Sequence, residues 1–187
     1  MAGATLDTLE KTLSREHYLD SGPYQREFSA IFSCGWVCVG RAETLSAPGD
    51  YQAQRFGDQS IVVLRGEDLE LRAFYNVCRH RGNIVASGSG NKSRFSCSYH
   101  AWTYDLKGQL VGAPHMQDVE GFDLSSCALP AFQTEIWQGF LFVNLSGDAT
   151  PLAPRLEALI PYIENYEIGK RPYAFTCLLY TSPSPRD

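Results

Sequence analysis

The sequence predicts a mainly β protein: an antiparallel β-sandwich or barrel-like fold, with a helical segment before it and the start of an α+β domain after it. Two observations support this fold class. Short β-type runs recur at close spacing between about residues 36 and 145, with turn residues between them. Helical periodicity is confined to the two ends of the chain. With 187 residues, 44% of them hydrophobic, the chain can bury a core of useful size.

The first predicted element is a helix near the N-terminus. Pro23 suits its first turn, where the N–H that proline lacks is not needed. Phe28, Ile31 and Phe32 then fall on one face at helical spacing, and Gly35 is a suitable end. We therefore expect a helix that leads into the first strand.

A period of two replaces the helical period from about residue 36, and it predicts a series of short strands. The predicted strands are 36–40, 51–56, 60–64, 71–76, 94–97, 103–105, 109–111 and 139–145. Residues 65–68 predict a hairpin turn. Residues 106–108 predict another, in which Gly108 can adopt a positive φ.

The pattern changes again after the last predicted strand. Residues 146–148, with the sequence Ser-Gly-Asp, are typical of a linker. Apolar residues at helical spacing then predict a short helix over 156–163, which Pro161 kinks or shortens.

Composition and charge exclude several classes of function. The formal net charge is −5, and no block of basic residues is present, so a nucleic-acid binder is not expected. No run of about 18 apolar residues predicts a membrane-spanning helix. The N-terminal residues lack the features of a secretory signal, so we expect a cytoplasmic protein that does not bind membranes.

Two of the six cysteines are interleaved with histidines, a pattern more typical of metal binding than of disulfides. Cys78 and His80 form a C-x-H pair, and Cys97 and His100 form a C-x-x-H pair. Each pair follows a predicted strand. A rigid β scaffold could therefore bring the two loops together at one tip.

These four side chains suit a [2Fe–2S] cluster with Cys78 and Cys97 on one iron and His80 and His100 on the other. Replacing two thiolates by imidazoles removes negative charge and raises the potential to roughly −150 to +300 mV, against about −400 mV for the all-cysteine ferredoxin type. A tetrahedral structural zinc would also accept two cysteines and two histidines, although a C-x-H pair is short for it. Spacing alone does not decide between a [2Fe–2S] cluster and a zinc ion.

The other cysteines carry no such signal. Cys34, Cys38 and Cys127 have no Cys or His partner at ligand spacing. Cysteines of this kind usually behave as small apolar side chains, so we expect them to be buried.

The residues around the two pairs resemble a known family. The segments FYNVCRHRG (74–82) and CSYHAWTY (97–104) are similar to the cluster-binding loops of the Rieske non-haem iron oxygenases. These are the alpha subunits of ring-hydroxylating dioxygenases and of relatives such as choline monooxygenases. Further matches lie at 35–36, 39–41, 48–51, 105–110 and 112–114, and the similarity runs from about residue 24 to about residue 176.

The resemblance implies a Rieske [2Fe–2S] β-sandwich with Cys78, His80, Cys97 and His100 as cluster ligands. It implies a reductase or ferredoxin as electron donor and a homo-oligomeric, trimer-like assembly. It also implies a mononuclear Fe(II) in a C-terminal domain, held by two histidines and a carboxylate. We expect this chain to end before those ligands, and to be an inactive fragment of a mono- or dioxygenase.

Two other kinds of Rieske protein are alternatives to an oxygenase subunit. A stand-alone Rieske ferredoxin is the alternative function, but it needs neither the N-terminal helix nor the segment after residue 150. Rieske proteins of the respiratory bc type brace their loops with a disulfide. Its cysteines would fall at residues 81–83 and at Tyr99, where this chain has none.

Residues beside the ligands allow two interpretations each. Arg79 and Arg81 could dock an electron donor or could simply be solvated. Trp102 and Tyr104 could shield the cluster from water or could be ordinary core residues. Ser98 departs from the family, which usually has proline at that position.

The predicted organisation has four parts. Residues 1–44 hold the helical segment and lead-in strand, 45–150 the Rieske domain, and 151–176 a linker and the start of the catalytic domain. Residues 177–187 resemble the translation of a sequencing-library adapter. We expect them to be non-native and disordered, and we exclude them from fold reasoning.

Overall fold

The computed structural model describes residues 12–148 and 150–174. In that part of the chain the strands are β1 (Trp36–Arg41), β2 (Asp50–Phe56), β3 (Gln59–Arg65), β4 (Leu71–Tyr75), β5 (Ser89–Asn91), β6 (Phe95–Ser96), β7 (Thr103–Tyr104), β8 (Leu110–Gly112), β9 (Ala131–Trp137) and β10 (Phe140–Asn144). The helices are α1 (Glu16–Leu19), α2 (Ser21–Glu27), a π-helical turn (Phe28–Phe32), α3 (Leu152–Leu156) and α4 (Ile160–Ile163). Single 3₁₀ turns lie at Ala42–Thr44, Leu124–Cys127, Glu157–Leu159, Glu164–Tyr166 and Ile168–Lys170.

The strands form two antiparallel sheets. One has seven strands in the order β1-β10-β9-β4-β3-β2-β5, and the other is the short meander β6-β7-β8. Strand β9 joins the two halves of the large sheet, because it pairs with β10 along its length and with β4 at Ala131 and Phe132. The fold class predicted from the sequence is confirmed.

The core lies on both faces of the large sheet, and β3 is buried between the two halves of that core. Ile61 and Val63 point into one cluster, while Val62 and Leu64 point into the other, and each is at most 1% exposed. Successive side chains of a strand point to opposite faces. This is why β3 reads as a continuous apolar run rather than an alternating one.

One of the two clusters supports the loops that carry the Cys/His pairs. It contains Cys78, Cys97 and Trp102 together with apolar side chains of β2, β3 and β4. Gly108 closes the β7–β8 turn beside it with φ 77°, as predicted, and a Cβ there would lie 2.5 Å from the Phe74 ring.

The predicted strands are confirmed with each bound shifted by at most one residue, but β5 and β9 were missed. β5 is Ser-Gly-Asn, with no apolar residue, and it forms only because the edge of β2 is available for pairing. In β9 only Phe132 is buried, while Ile136 is 56% exposed. Neither strand therefore carries a period-two pattern.

The helical ends contribute little to the core. Helices α1 and α2 and the π-helical turn bury no side chain. The helix predicted before β1 is confirmed as α2 and the π-helical turn that continues it to Phe32, whereas α1 was not predicted. Pro161 lies in the first turn of α4, so the predicted C-terminal helix is split as expected. Arg41 ties the C-terminal segment to the sheet by donating to the Arg171 carbonyl at 2.7 Å.

Apolar side chains of the C-terminal segment are exposed: Leu159, Tyr162, Tyr166 and Tyr173 are 46–77% accessible. The prediction for residues 177–187 lies outside the described residues. No helix within the described ranges is long and apolar enough to cross a membrane.

Candidate metal centre

Two loops at one tip of the sandwich carry the predicted ligands. The first loop, 78–83, leaves β4, and the second, 97–102, joins β6 to β7. Both loops have the same backbone construction. Cys78 N–H donates to the Asn83 carbonyl at 2.8 Å, and Cys97 N–H donates to the Trp102 carbonyl at 2.8 Å.

A second hydrogen bond closes each loop. Gly82 N–H donates to the Cys78 carbonyl at 3.0 Å, and Ala101 N–H donates to the Cys97 carbonyl at 2.9 Å. Both donors have a left-handed backbone, with φ 70° at Gly82 and 57° at Ala101. Each cysteine is therefore fixed through its own peptide groups, before any metal is considered.

The two loops carry all four predicted ligands at one tip of the fold. Cys78 and Cys97 are 2% and 4% exposed, whereas His80 is half-buried and His100 is exposed. The His80 and His100 rings are 4.6 Å apart between centroids, and the His80 ring stacks on Trp102 at 4.8 Å. The thiols thus lie inside the tip and the imidazoles at its surface.

One buried nitrogen at this site lacks a bonding partner. Nδ1 of His80 is buried and has no hydrogen-bond partner. Buried polar atoms are nearly always paired. A metal bound to this nitrogen would satisfy it, so the residues present fit a metal-containing group.

The directions of two pKa shifts also suit metal ligation. Burial raises the pKa of the Cys97 thiol, but hydrogen bonds from Tyr99 N–H, the Asn83 side chain and others outweigh burial and hold that pKa below its usual value. Burial lowers the pKa of His80, and the nearby His100 lowers it further. Thiolate and neutral imidazole are the forms that bind metals.

The predicted donors do not surround a single centre in this structure. Within the described residues, no three His, Cys, Asp or Glu side chains are grouped closely enough to hold one metal ion. A structural zinc needs four donors around a single centre. In a mixed-ligand [2Fe–2S] cluster each iron takes only two protein donors, so the pairs can lie further apart.

Trp102 and Tyr104 are core residues that also contact predicted ligands. Trp102 is 4% exposed and Tyr104 is fully buried, so both are core residues. Tyr104 also lies at the site: its hydroxyl is 3.4 Å from Cys78 Sγ and accepts a 3.0 Å hydrogen bond from Arg79 N–H. Burial, together with Cys78, raises the pKa of Tyr104, so its hydroxyl stays protonated.

The chain is similar to known Rieske proteins. The Rieske [2Fe-2S] domain matches residues 35–123. The carnitine monooxygenase oxygenase subunit of Acinetobacter baumannii is 40% identical over 146 residues, which are 78% of this chain and 39% of that protein. The naphthalene 1,2-dioxygenase large oxygenase component of Pseudomonas putida is 34% identical, over 83% of this chain and 36% of that protein.

A solved structure agrees with these relatives. The apo form of the quaternary ammonium Rieske monooxygenase CntA superposes with a TM-score of 0.76 and 37% identity, over 82% of this chain and 45% of that one. The chain belongs to the Rieske oxygenase alpha-subunit family. It spans about two fifths of the length of the curated relatives it matches, 39% in the case of the carnitine monooxygenase.

Sequence reasoning missed a residue that shapes the first loop of this Rieske chain. Asn76, 1% exposed, accepts hydrogen bonds from Val85 N–H at 3.2 Å and Ala86 N–H at 2.8 Å. Its amide donates to the Ala86 carbonyl at 2.7 Å and to Ser60 Oγ at 3.1 Å. Strand alternation could have found it, because Asn76 lies two residues after the buried Phe74 and so points inward.

The two arginines beside His80 are exposed in this Rieske domain. Neither Arg79 nor Arg81 forms an ion pair with any of the described residues. The ligand loops and the residues flanking them also expose apolar side chains: Val77, Ile84 and Tyr99 are 36%, 45% and 59% accessible. Solvation and docking are both compatible with this surface.

The burial predicted for the remaining cysteines is wrong for two of them. Cys34 lies beyond the π-helical turn, outside the core, and is exposed. Cys38 is exposed because it alternates along β1 with the buried Val37 and Val39. Cys127 is half-buried against the core.

Proposed function

We propose that this chain is the electron-transfer half of a Rieske oxygenase alpha subunit, with Cys78, His80, Cys97 and His100 as the ligands of a [2Fe–2S] cluster. The observation that carries the proposal is the convergence of two Cys/His loops on a tip where His80 Nδ1 is buried and unpaired. When bound, such a cluster accepts and releases one electron at a time.

The burial of the ligands suggests a different role for each side of the site. Cys78 and Cys97 are buried and would hold the inner iron, where burial and hydrogen bonds to sulfur tune the potential. His80 and His100 would hold the outer iron. Because His100 is exposed, the histidine side is the one that an electron donor or acceptor can approach.

The surface of the tip suggests a donor. Arg79 and Arg81 give a chain of net charge −5 a local positive region beside the histidines. Val77, Ile84 and Tyr99 add exposed apolar area next to it. We expect a reductase or ferredoxin whose docking face is acidic, because complementary charge accelerates association.

The oxygenase reaction belongs to the full-length protein in this proposal. Electrons would pass to a mononuclear iron in a catalytic domain outside this chain, within a cytoplasmic homo-oligomer. A solved quaternary ammonium Rieske monooxygenase is described as giving insight into inter-subunit electron transfer. Relatives named for carnitine and for naphthalene share this half with the chain, so we assign electron delivery, rather than substrate choice, to it.

The similarity favours an oxygenase over a stand-alone ferredoxin. The Rieske domain itself covers residues 35–123, whereas the relative from A. baumannii aligns over 146 residues and the CntA structure over 82% of the chain. The alignment therefore extends into flanking segments that a minimal carrier does not need.

The test is a one-electron titration of the chain after anaerobic reconstitution with iron and sulfide. We expect a red-brown protein that takes up one electron per chain. Cys97→Ser should abolish both colour and electron uptake, because a thiolate is lost from the ligand set. Cys38→Ser is the matched control, since Cys38 is exposed and outside the site, and should retain both. A colourless chain, or a full cluster in Cys97→Ser, would contradict the proposal.

A further inference from the structure

The side chain of Asn83 bridges the two ligand loops. Its amide nitrogen Nδ2 donates to Ser98 Oγ at 3.1 Å and lies 3.7 Å from Cys97 Sγ, both in the second loop. A third, longer contact of 3.4 Å reaches the neighbouring Ile84 carbonyl. Asn83 also acts through its backbone, because its carbonyl accepts the N–H of Cys78 in the first loop. One residue thus touches both proposed thiolate ligands.

We propose that Asn83 is a positioning residue that clasps the two loops through Ser98 and raises the reduction potential of the cluster through its hydrogen bond to Cys97. This inference rests on the proposed function. The clasp and the hydrogen bond to sulfur are separate effects of one amide group, which has two hydrogens to donate.

The effect on potential follows from charge. Reduction adds negative charge to the cluster and its thiolates. A donor aimed at a thiolate stabilises the reduced state more than the oxidised one, so the potential rises. Asn83 is half-buried, and partial exclusion of water strengthens such a bond.

The clasp occupies the place of a covalent brace. A disulfide of the bc type would need cysteines at residues 81–83 and at residue 99, and this chain has Asn83 and Tyr99 there. The Asn83–Ser98 hydrogen bond joins the loops in the same region. Ser98 takes part because it has a hydroxyl, which the proline usual in the family would lack. The departure at residue 98 therefore has a structural use.

The experiment uses the cluster-loaded chain and three variants. Asn83→Leu keeps the size of the side chain but removes the donor, and Asn83→Asp replaces the donor by a negative acceptor. Ser98→Ala removes the clasp but leaves the amide free to reach Cys97. Ser93→Ala, an exposed serine in the segment between the loops, is the control.

Redox titration measures the effect of the hydrogen bond to sulfur on the reduction potential. We expect the one-electron equilibrium constant for reduction to fall about threefold to tenfold in Asn83→Leu and further in Asn83→Asp, where tenfold corresponds to 59 mV. Ser98→Ala and Ser93→Ala should stay close to the wild type. A merely structural asparagine would not give this order of potentials.

The rate at which the visible absorption disappears in the presence of an iron chelator measures the contribution of the clasp to cluster retention. We expect it to be several-fold faster in Asn83→Leu and Ser98→Ala than in Ser93→Ala. A wild-type potential in both Asn83 variants would overturn the tuning role, and wild-type rates of cluster loss in Asn83→Leu and Ser98→Ala would overturn the clasp. If Asn83→Leu fails to fold, Asn83→Ala removes the same donor without adding charge and takes its place in both measurements. A wild-type chain that binds no cluster would instead defeat the proposed function.

Discussion

The ligand tip and the helical ends of this chain differ in how they are held. The tip is fixed twice, by peptide hydrogen bonds within each loop and by a core cluster that includes Cys78, Cys97 and Trp102. The described helical ends, residues 12–35 and 151–174, bury a single large apolar side chain, Leu152. The β half therefore supports the site without help from the helical ends. The helical ends mainly contribute exposed apolar surface.

Substitution of one aromatic residue in each region tests this difference in stability. Phe95 is 2% exposed in β6 and packs edge-on against Tyr51 at 5.1 Å, whereas Phe32 is 46% exposed at the end of the π-helical turn. We expect Phe95→Ala to lower the free energy of unfolding by about 3–5 kcal/mol. Phe32→Ala should change it by less than about 1 kcal/mol. Urea titration of both variants measures the contrast, and equal losses would refute it.

A buried amide gives the next largest effect. Asn76→Leu leaves the N–H groups of Val85 and Ala86 buried without their acceptor, so we expect a loss of about 2–4 kcal/mol. Asn91→Leu is the control, because Asn91 is exposed on the edge strand β5. We expect Asn91→Leu to cost less than about 1 kcal/mol. If the two asparagines prove equally tolerant in urea titration, Asn76 does not organise the first loop.

The sequence predicts the ligands and the apolar strands better than it predicts the strands without an apolar pattern. The spacing of Cys78, His80, Cys97 and His100 predicted the site because ligand chemistry restricts both residue type and position. The strand pattern located β1 to β4 because each buries one or both faces. Strand β5 escaped because pairing with β2, rather than apolar side chains, defines it.

Polar contacts within the site were the other part that the sequence could not supply. Asn76 and Asn83 act through partners between 9 and 16 positions away along the chain. Such partners meet only after the sheet has formed. Exposure of Cys38 was missed for a related reason, since which face of β1 is buried depends on tertiary packing.

The smallest expected effect concerns acid stability of the cluster-free chain. The pKa of His80 is lowered by burial and by His100, so the folded chain resists protonation there more than the unfolded chain. Its contribution to stability is therefore present above its unfolded pKa, about 6.5, and is lost as pH falls through that range. His80→Gln should lose less stability than the wild type between about pH 7 and pH 5.

Thermal unfolding at several pH values measures this difference. His17→Gln is the control, because His17 is exposed in α1, and it should follow the wild type. If His80→Gln also follows the wild type, burial of this imidazole does not influence folding.

We propose that the two cysteines and two histidines of the tip hold one [2Fe–2S] cluster. The most direct measurement is electron paramagnetic resonance with nuclear double resonance on the reduced chain, prepared with ¹⁵N-labelled histidine. We predict two irons and two sulfides per chain and strong coupling of the unpaired electron to two histidine nitrogens, one each from His80 and His100. His17→Gln should leave both couplings intact. A cluster without histidine nitrogen coupling, or a chain that binds zinc and no cluster, would contradict the claim.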